Sequence, residues 1–355
     1  MLFRSLFDRM YSCATKTRTF LTGFFTGKSP LETRHGISFN IYPEEEKKLF
    51  YQKKGITTLA QSFKKNNYLA IQIGNSGFSN PVLETAFNYD FDSSFDFQSR
   101  PYDTTGATYH VLKSLSKNKP FFLYVHLNTT HTPRRAPLKY YFSSFHKYFS
   151  HLWRLDMLAA TQYADNNMKI LHDYLEKSGL LEKTILIFTS DHGSGHDLKK
   201  FFSNYNYDDY VRVPFVIFLP EKLKAKWGVS KKKIETATTV LNLAPTFLDF
   251  LGFPKENNFS GKSIKDLFSK KESPFYTDEF IWSYDNFGLS VVFQGRWKYI
   301  LQFIGGRYRF SQKEYLLFGK EKIEPTEQLY DLVEDPDERD RKSTRLNSSH
   351  RIRAR

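Results

Sequence analysis

The fold class is decided by one stretch of sequence, Lys183-Thr184-Ile185-Leu186-Ile187-Phe188-Thr189-Ser190-Asp191-His192-Gly193. Its first six residues are mostly β-branched or aromatic and include no Gly or Pro, which predicts a buried strand. In parallel α/β sheets, chemistry gathers where strands end, and this strand ends in Asp191 and His192. A carboxylate beside an imidazole suits one divalent cation. The alternative is a structural turn that Asp191 caps and Gly193 relaxes.

Helix and strand patterns alternate on both sides of this stretch. Residues 164–175 have helical spacing, with Met168, Leu171 and Leu175 on one stripe, and Gly179 predicts the end of that helix. Such alternation is typical of a doubly wound α/β fold. The other predicted strands are 67–73, 120–127 and 212–218, and a further helix is predicted at 243–252.

The order of these segments resembles the sulfatase branch of the alkaline-phosphatase superfamily. The matching motifs are the His-Thr-Pro loop at 131–133, Ser-Asp-His-Gly at 190–193 and Arg-Val-Pro at 212–214. The resemblance extends over about residues 13–339. It implies an α/β fold with a doubly wound, mostly parallel sheet and a small C-terminal antiparallel sheet. It also implies a metal-dependent hydrolase of sulfate esters.

The resemblance divides the chain into three parts. Residues 1–270 are predicted to form the catalytic domain, with a loop-rich stretch at 90–105. Family members have an earlier strand ending in paired acidic metal ligands; nothing of that kind precedes Cys13, so we expect this first strand to be missing. Residues 275–339 are predicted to form the antiparallel subdomain, with strands at 279–283, 289–293 and 297–301. Residues 340–355 are expected to be a non-native tail, because 340–350 looks like a translated sequencing adapter.

The sequence offers two registers for the nucleophile. In sulfatases it opens a helix, within a Cys-x-Pro-x-Arg box followed by Leu-Thr-Gly. Aligning Leu21-Thr22-Gly23 with that end places Cys13 at the nucleophile position. Thr15 and Thr17 then stand where oxidation of the cysteine to formylglycine requires Pro and Arg.

The second register places Thr17 at the nucleophile position. It aligns Phe25-Thr26-Gly27 with the end of the box and matches better downstream, as far as Ile37. Phosphodiesterase and phosphoglycol-transferase relatives use a threonine hydroxyl directly, activated by metal coordination. The bland alternative is a helix-capping threonine beside a buried cysteine.

The resemblance implies further site residues. His131 matches the histidine that hydrogen-bonds the leaving oxygen, and Lys200 is a candidate to neutralise a non-bridging oxygen. His196 and Asn75 are candidates for substrate binding. Asn75 stands in a Gly-Asn-Ser-Gly turn where sulfatases have Gly-Lys-x-His, so it brings no charge to an anion. A loop histidine, a surface lysine and a turn asparagine are the structural alternatives.

The composition limits the partners. The net charge is +14, and about +9 remains for residues 1–339, because the tail carries six basic residues and one acidic residue. A basic surface attracts anionic substrates. Lys231–Lys233 and Lys270–Lys271 are interpreted as solvated loops, so no nucleic-acid partner is predicted. The single cysteine excludes an internal disulfide framework.

Three functions therefore stay open. The leading one is a metal-dependent sulfate-ester hydrolase, with Ca²⁺ as cofactor and a sulfated sugar or sulfated aryl compound as substrate. The second is a phosphodiesterase or a phosphoethanolamine or phosphoglycerol transferase that uses Thr17 directly, with Mn²⁺, Mg²⁺ or Zn²⁺ and a phospholipid head group. The third is a non-catalytic protein with the same fold. The family predicts an extracytoplasmic location, although no signal peptide is visible; membrane association would come from a missing N-terminal segment.

Overall fold

A computed structural model describes the chain over residues 4–33, 55–74, 87–96, 104–115, 119–131, 136–142, 152–193, 206–230, 233–254, 259–269, 279–285, 288–302 and 326–339. Three sheets organise these residues. Among them, no helix is long and apolar enough to cross a lipid bilayer.

The first sheet has five strands, and β1 (Arg4–Tyr11) lies at its centre. On one side β1 pairs antiparallel with β6 (Arg212–Phe218), which pairs antiparallel with β5 (Leu186–Thr189). On its other side it pairs in parallel with two short strands. This sheet is therefore mixed. The two short strands are β7 (Lys233–Ile234) and β8 (Thr238–Thr239).

Strand β1 lies in a segment for which the sequence predicts no strand. Phe7 and Met10 are both buried, although they are three residues apart and a regular strand would point them to opposite faces. The pairing with β6 shifts between these two residues, which indicates a β-bulge or similar irregularity. The irregularity lets both apolar side chains reach the core and leaves the polar residues Asp8 and Arg9 at the surface side.

The second sheet is parallel, with β2 (Leu69–Gly74) between β3 (Ser93–Asp96) and β4 (Phe121–His126). Strand β3 lies in the stretch expected to be rich in loops. The helices around the two sheets are α1 (Thr17–Thr26), α2 (Pro30–Thr33), α3 (Leu59–Lys65), α4 (Thr104–Ser114), α5 (Leu152–Lys177), α6 (Asp208–Val211), α7 (Glu221–Trp227) and α8 (Leu243–Leu251).

Helix α1 is set deep in the core, which matters for the site because Thr17 is its first residue. Residues 19–26 of the helix are all buried. Phe24 and Phe25 pack edge-on against each other, and both rings contact Tyr124 of β4. The helix ends at Gly27, whose φ of 63° is in the left-handed region that favours glycine. A helix held along its length in this way presents its N-terminus at a fixed place.

The third sheet is the predicted C-terminal one. It is antiparallel, in the order β12-β11-β10-β9. Its inner face packs against the chain just before β6, because Ile281, Val292 and Ile300 share one apolar cluster with Tyr210 and Val211 of α6. Its strands are β9 (Phe280–Asp285), β10 (Gly288–Phe293), β11 (Trp297–Gln302) and β12 (Thr326–Asp331).

The predicted fold class is confirmed as α/β with a mixed main sheet and a small antiparallel C-terminal sheet. The division into 1–270 and 275–339 stays a prediction, and its boundary lies outside the described residues. The same holds for the missing first strand and for the tail at 340–355.

Candidate active site

Ser12 joins β1 to the site. It follows β1 directly and is fully buried. Its backbone N–H donates to Val211 O at 2.7 Å, and its hydroxyl donates to Asp191 O at 2.5 Å. Its own carbonyl accepts from the Ser283 hydroxyl of β9 at 2.5 Å. One small residue therefore connects the start of α1, the turn after β5 and the C-terminal sheet.

Thr17 and Asp191 meet at the N-terminus of α1. Thr17 Oγ1 donates to Asp191 Oδ2 at 2.5 Å, although the two residues are 174 positions apart in the chain. Lys16 is the N-cap of the helix and makes no side-chain cap hydrogen bond. Because the first amides of a helix carry partial positive charge, an anion is favoured beside Thr17. The hydroxyl thus lies at a place suited to a negatively charged ester.

Asp191 is ionised in this setting. Burial would raise the pKa of its carboxyl group, but the charges of His192 and His126 and the hydrogen bond from Thr17 outweigh burial, so the pKa is lowered. Its Oδ1 accepts from the backbone N–H of His192 at 2.9 Å. The carboxylate is consequently available to a cation over the whole neutral range.

His192 presents its Nε2 to the same place. Nδ1 lies 2.6 Å from Gly193 O, and a carbonyl oxygen only accepts, so Nδ1 carries the proton. Nε2 is the ring nitrogen left to face a cation, and it lies 3.4 Å from both Thr17 Oγ1 and Asp191 Oδ2. A histidine whose second nitrogen is fixed by a carbonyl is the usual arrangement of a metal-ligating imidazole.

These three donors fit part of a divalent cation's coordination shell. A carboxylate oxygen, an imidazole nitrogen and a hydroxyl oxygen converge within 3.4 Å of one another. A Ca²⁺ shell takes six to eight oxygen ligands, so the remainder would come from other groups. Within the described part of the chain, three ligating side chains come close together at His172, Asp173 and Glu176 of α5. We give that exposed group no role, because Asp173 already pairs with Lys169 at 2.5 Å.

Gly193 shows that the structural-turn alternative is also partly right. Its N–H donates to Tyr210 O at 2.8 Å. A Cβ at this position would lie 1.9 Å from Asp209 O, so no other residue fits without moving the backbone. The glycine does relax the turn. The carboxylate of Asp191, however, points to Thr17 as well as to its own turn.

Cys13 lies elsewhere in the core. It is 1% exposed, and its thiol packs so closely against α1 that a Cβ on Gly23 would meet Sγ at 2.4 Å. Burial raises the pKa of the Cys13 thiol to about 12. A thiol with that pKa is protonated at neutral pH, and the thiolate is the reactive form.

His126 is a site residue that the sequence analysis did not predict. It is the last residue of β4, and its Nδ1 lies 3.0 Å from the Tyr124 hydroxyl. Burial lowers the pKa of His126, while Asp191 and Asn128 act in the opposite direction. A signal was present in the sequence, since Tyr124 and His126 are two residues apart and so share one face of a strand that ends at the site.

Of the remaining candidates, the structure describes His131. His131 is exposed, its N–H donates to Asn128 O at 3.1 Å, and its charge contributes to the lowered pKa of His126. Asn75, His196 and Lys200 lie outside the described residues.

Comparison with known proteins agrees with this fold. The sulfatase family model matches residues 5–253, and the model for the C-terminal region of N-sulphoglucosamine sulphohydrolase matches residues 197–350. The fold is that of the alkaline-phosphatase superfamily. Within it, the chain belongs to the sulfatase family. Sulfatases generally bind a divalent metal ion.

Individual relatives match over shorter stretches. An N-acetylglucosamine-6-O-sulfatase of Bacteroides thetaiotaomicron is 34% identical over 113 residues, which are 32% of this chain and 19% of that protein. Arylsulfatase K of Bos taurus is 28% identical over 176 residues, which are 46% of this chain and 28% of that protein. The chain thus matches less than a third of the length of these two relatives.

One solved structure covers nearly the whole fold. It is a protein in complex with its substrate D-glucosamine-2-N,6-O-disulfate, with a TM-score of 0.63 and 17% identity. The alignment covers 94% of this chain and 85% of that chain. At this identity the similarity establishes the shared fold.

Proposed function

We propose that this protein is a metal-dependent hydrolase of sulfate esters on carbohydrates, with its nucleophile at the N-terminus of α1. The observation that carries the proposal is the convergence of the Thr17 hydroxyl, the Asp191 carboxylate and His192 Nε2 within 3.4 Å in a chain of the sulfatase family. The sulfated-sugar substrate is supported by the relative that is an N-acetylglucosamine-6-O-sulfatase.

In the proposed reaction Thr17 is the nucleophile. Its oxygen forms a bond to sulfur while the bond from sulfur to the sugar oxygen breaks. The hydroxyl proton is lost to solvent, while Asp191, whose Oδ2 accepts the hydrogen bond from that hydroxyl, stays ionised. A divalent cation held by Asp191 and His192 would polarise the ester and lower the pKa of the hydroxyl. In the second step water attacks the sulfur and gives a proton to His131, and the bond from sulfur to the Thr17 oxygen breaks. Thr17 regains its proton from solvent and sulfate is released.

The sugar oxygen needs a proton as it leaves. We assign this role to His131, which follows β4 and is close enough to His126 to help lower the pKa of that histidine. An imidazole transfers protons efficiently near neutral pH. Asn75, His196 and Lys200 stay candidates for binding the sulfate oxygens. An extracytoplasmic location, typical of the family, also stays a prediction.

A second candidate function is the cleavage or transfer of a phosphodiester with the same residues. It is favoured by the placement of Thr17, instead of the cysteine, beside Asp191. A threonine hydroxyl needs no oxidation to formylglycine before it attacks, and phosphorus and sulfur esters require the same in-line geometry.

Product analysis distinguishes these proposals. The protein loaded with Ca²⁺ or Mn²⁺ should release inorganic sulfate from 6-O-sulfated N-acetylglucosamine faster than it cleaves a bis-aryl phosphodiester. The reverse preference would support the second candidate. Mass spectrometry of the peptide that contains Cys13 should show an unmodified cysteine; formylglycine there would contradict the assignment of Thr17.

A further inference from the structure

A buried ion cluster joins the C-terminal sheet to the main domain. Lys298 of β11 is fully buried, and its Nζ lies 2.6 Å from Asp208 Oδ1 and 2.7 Å from Glu338 Oε1. The two carboxylates are also nearly buried, with 11% of the Asp208 side chain and 1% of the Glu338 side chain exposed. One ammonium group therefore holds two carboxylates from distant parts of the chain.

Asp208 is the member of the cluster that belongs to the main domain. It begins α6, and its backbone N–H donates to Glu338 Oε2 at 2.8 Å. Its Oδ2 accepts from the Tyr11 hydroxyl of β1 at 3.3 Å. The side chain and the backbone of the first residue of α6 are thus both fixed, which sets the position of this one-turn helix.

Helix α6 in turn holds both halves of the candidate active site. The carbonyl of Tyr210 accepts from Gly193, directly after His192, at 2.8 Å. The carbonyl of Val211 accepts from Ser12, whose hydroxyl binds the carbonyl of Asp191. Two consecutive carbonyls of α6 therefore anchor the turn that carries the cation ligands and the segment that leads to Thr17.

We infer that Lys298 is a positioning residue for the candidate active site, acting through Asp208 and α6 on the Asp191–Gly193 turn. The inference rests on the proposed function, because the turn it positions is the one proposed to hold the cation. Removing the ammonium group leaves two buried carboxylates that repel each other, so α6 and the turn are released from their fixed place.

The test compares charge removal at Lys298 with a matched change in the same sheet. Arg296 lies two residues before Lys298 and forms a bidentate ion pair with Asp331. The Arg296 side chain is 46% exposed. Lys298→Met should weaken binding of Ca²⁺ or Mn²⁺, measured by calorimetry, by about tenfold, the lower end of the loss seen when a partner that orients a metal ligand is removed. Arg296→Met should change it by less than about twofold.

A second pair of variants leaves the buried ion cluster with one positive and one negative charge. Asp208→Asn leaves the ammonium group with Glu338 alone, and Glu338→Gln leaves it with Asp208 alone. Each retains one buried pair, so both variants are expected to fold. Asp208→Asn should weaken cation binding more than Glu338→Gln, because only the former removes the ion pair with α6. Equal effects would overturn the inference.

Hydrogen exchange in cation-free protein separates the inference from the proposed function. The Gly193 amide should exchange faster in Lys298→Met and Asp208→Asn than in wild type, with little change in Arg296→Met. If wild type binds neither cation, the proposed function fails, while this measurement still decides the positioning role. Unchanged exchange at Gly193 in both variants, or equal acceleration in the Arg296 control, overturns the inference.

Discussion

Two polar clusters lie at either end of α6, and they balance charge differently. In the buried cluster, the ammonium group of Lys298 faces two carboxylates, and protein atoms supply all three charges. At the candidate active site, the Asp191 carboxylate faces imidazoles and a hydroxyl instead. In the first arrangement each carboxylate already has an ammonium partner from the protein. The second brings together lone pairs that a divalent cation would satisfy, which is how a binding site differs from a structural ion pair.

The largest effect should come from Thr17 in the candidate active site. Thr17→Ala should lower kcat for ester hydrolysis by at least about 1,000-fold, because it removes the proposed nucleophile. Thr17→Ser, which keeps the hydroxyl, should retain part of the activity. The matched control is Cys13→Ala, with kcat close to wild type. Steady-state kinetics on one sulfate ester would decide, and a large loss in the Cys13 variant alone would reverse the assignment.

The buried ion cluster should matter most for the free energy of unfolding. Lys298→Met should lower the free energy of unfolding by about 3–5 kcal/mol, because it leaves uncompensated buried charge. The more exposed Arg296→Met should lower it much less. Urea unfolding followed by tryptophan fluorescence measures both values. Equal losses would mean that the two ion pairs contribute alike and that burial is unimportant here.

Cation binding should stabilise the protein only when the candidate active site is intact. At a cation concentration about 100 times Kd, ligand binding adds about 2.7 kcal/mol to the free energy of unfolding. Asp191→Asn should remove this cation-dependent gain while changing the stability of the cation-free protein little. Thermal unfolding with and without the cation tests this. A retained gain would place the binding site elsewhere.

The two clusters should also differ in pH dependence. Burial lowers the pKa of Lys298, but Asp208 and Glu338 outweigh it and raise the pKa above the usual 10.5. Its stabilising contribution is therefore full below pH 10.5 and is lost as pH rises through the raised value. As the pH rises above 10.5, wild type should lose more of its free energy of unfolding than Lys298→Met. Parallel losses would show that Lys298 is not the group responsible.

The smallest effect concerns the thiol. Since burial raises the pKa of Cys13 to about 12, native protein should react with iodoacetamide at pH 8 far more slowly than urea-unfolded protein. Mass spectrometry at timed intervals measures the alkylated fraction. Rapid labelling of the native protein would mean that Cys13 is accessible, and would return it to the list of candidate nucleophiles.

Local patterns predicted the regular elements well. Strand β6 lies where the Arg-Val-Pro segment predicts it, and the helix predicted at 243–252 is present as Leu243–Leu251. The C-terminal strands β9 to β11 are present close to their predicted bounds. These segments have the periodicity of the structure they adopt, with no competing pattern. The turn with Asp191 and His192 was recognised because it follows such a strand.

The contacts between distant segments were not predictable in this way. The irregularity in β1 hides the period-two pattern of its buried residues, so the strand was missed. Lys298 and Asp208 are 90 residues apart, and nothing in their local sequence signals that they meet. The sequence allowed two alignments of the nucleophile box, one with Cys13 and one with Thr17 at the nucleophile position. Periodicity could not decide between them. The roles of His131, Asn75, His196 and Lys200 stay predictions.

The outward face of the C-terminal sheet affects how inhibition by sulfate should be measured. Phe280, Trp282 and Trp297 are 59%, 47% and 38% exposed on this face, and Phe280 stacks on Phe293. Clustered aromatic rings in water favour self-association, and sulfate ions strengthen such contacts by being excluded from protein surfaces. Added sulfate would thus slow the proposed reaction both as its product and by promoting self-association. Diluting the enzyme separates product inhibition from self-association, because only self-association depends on enzyme concentration.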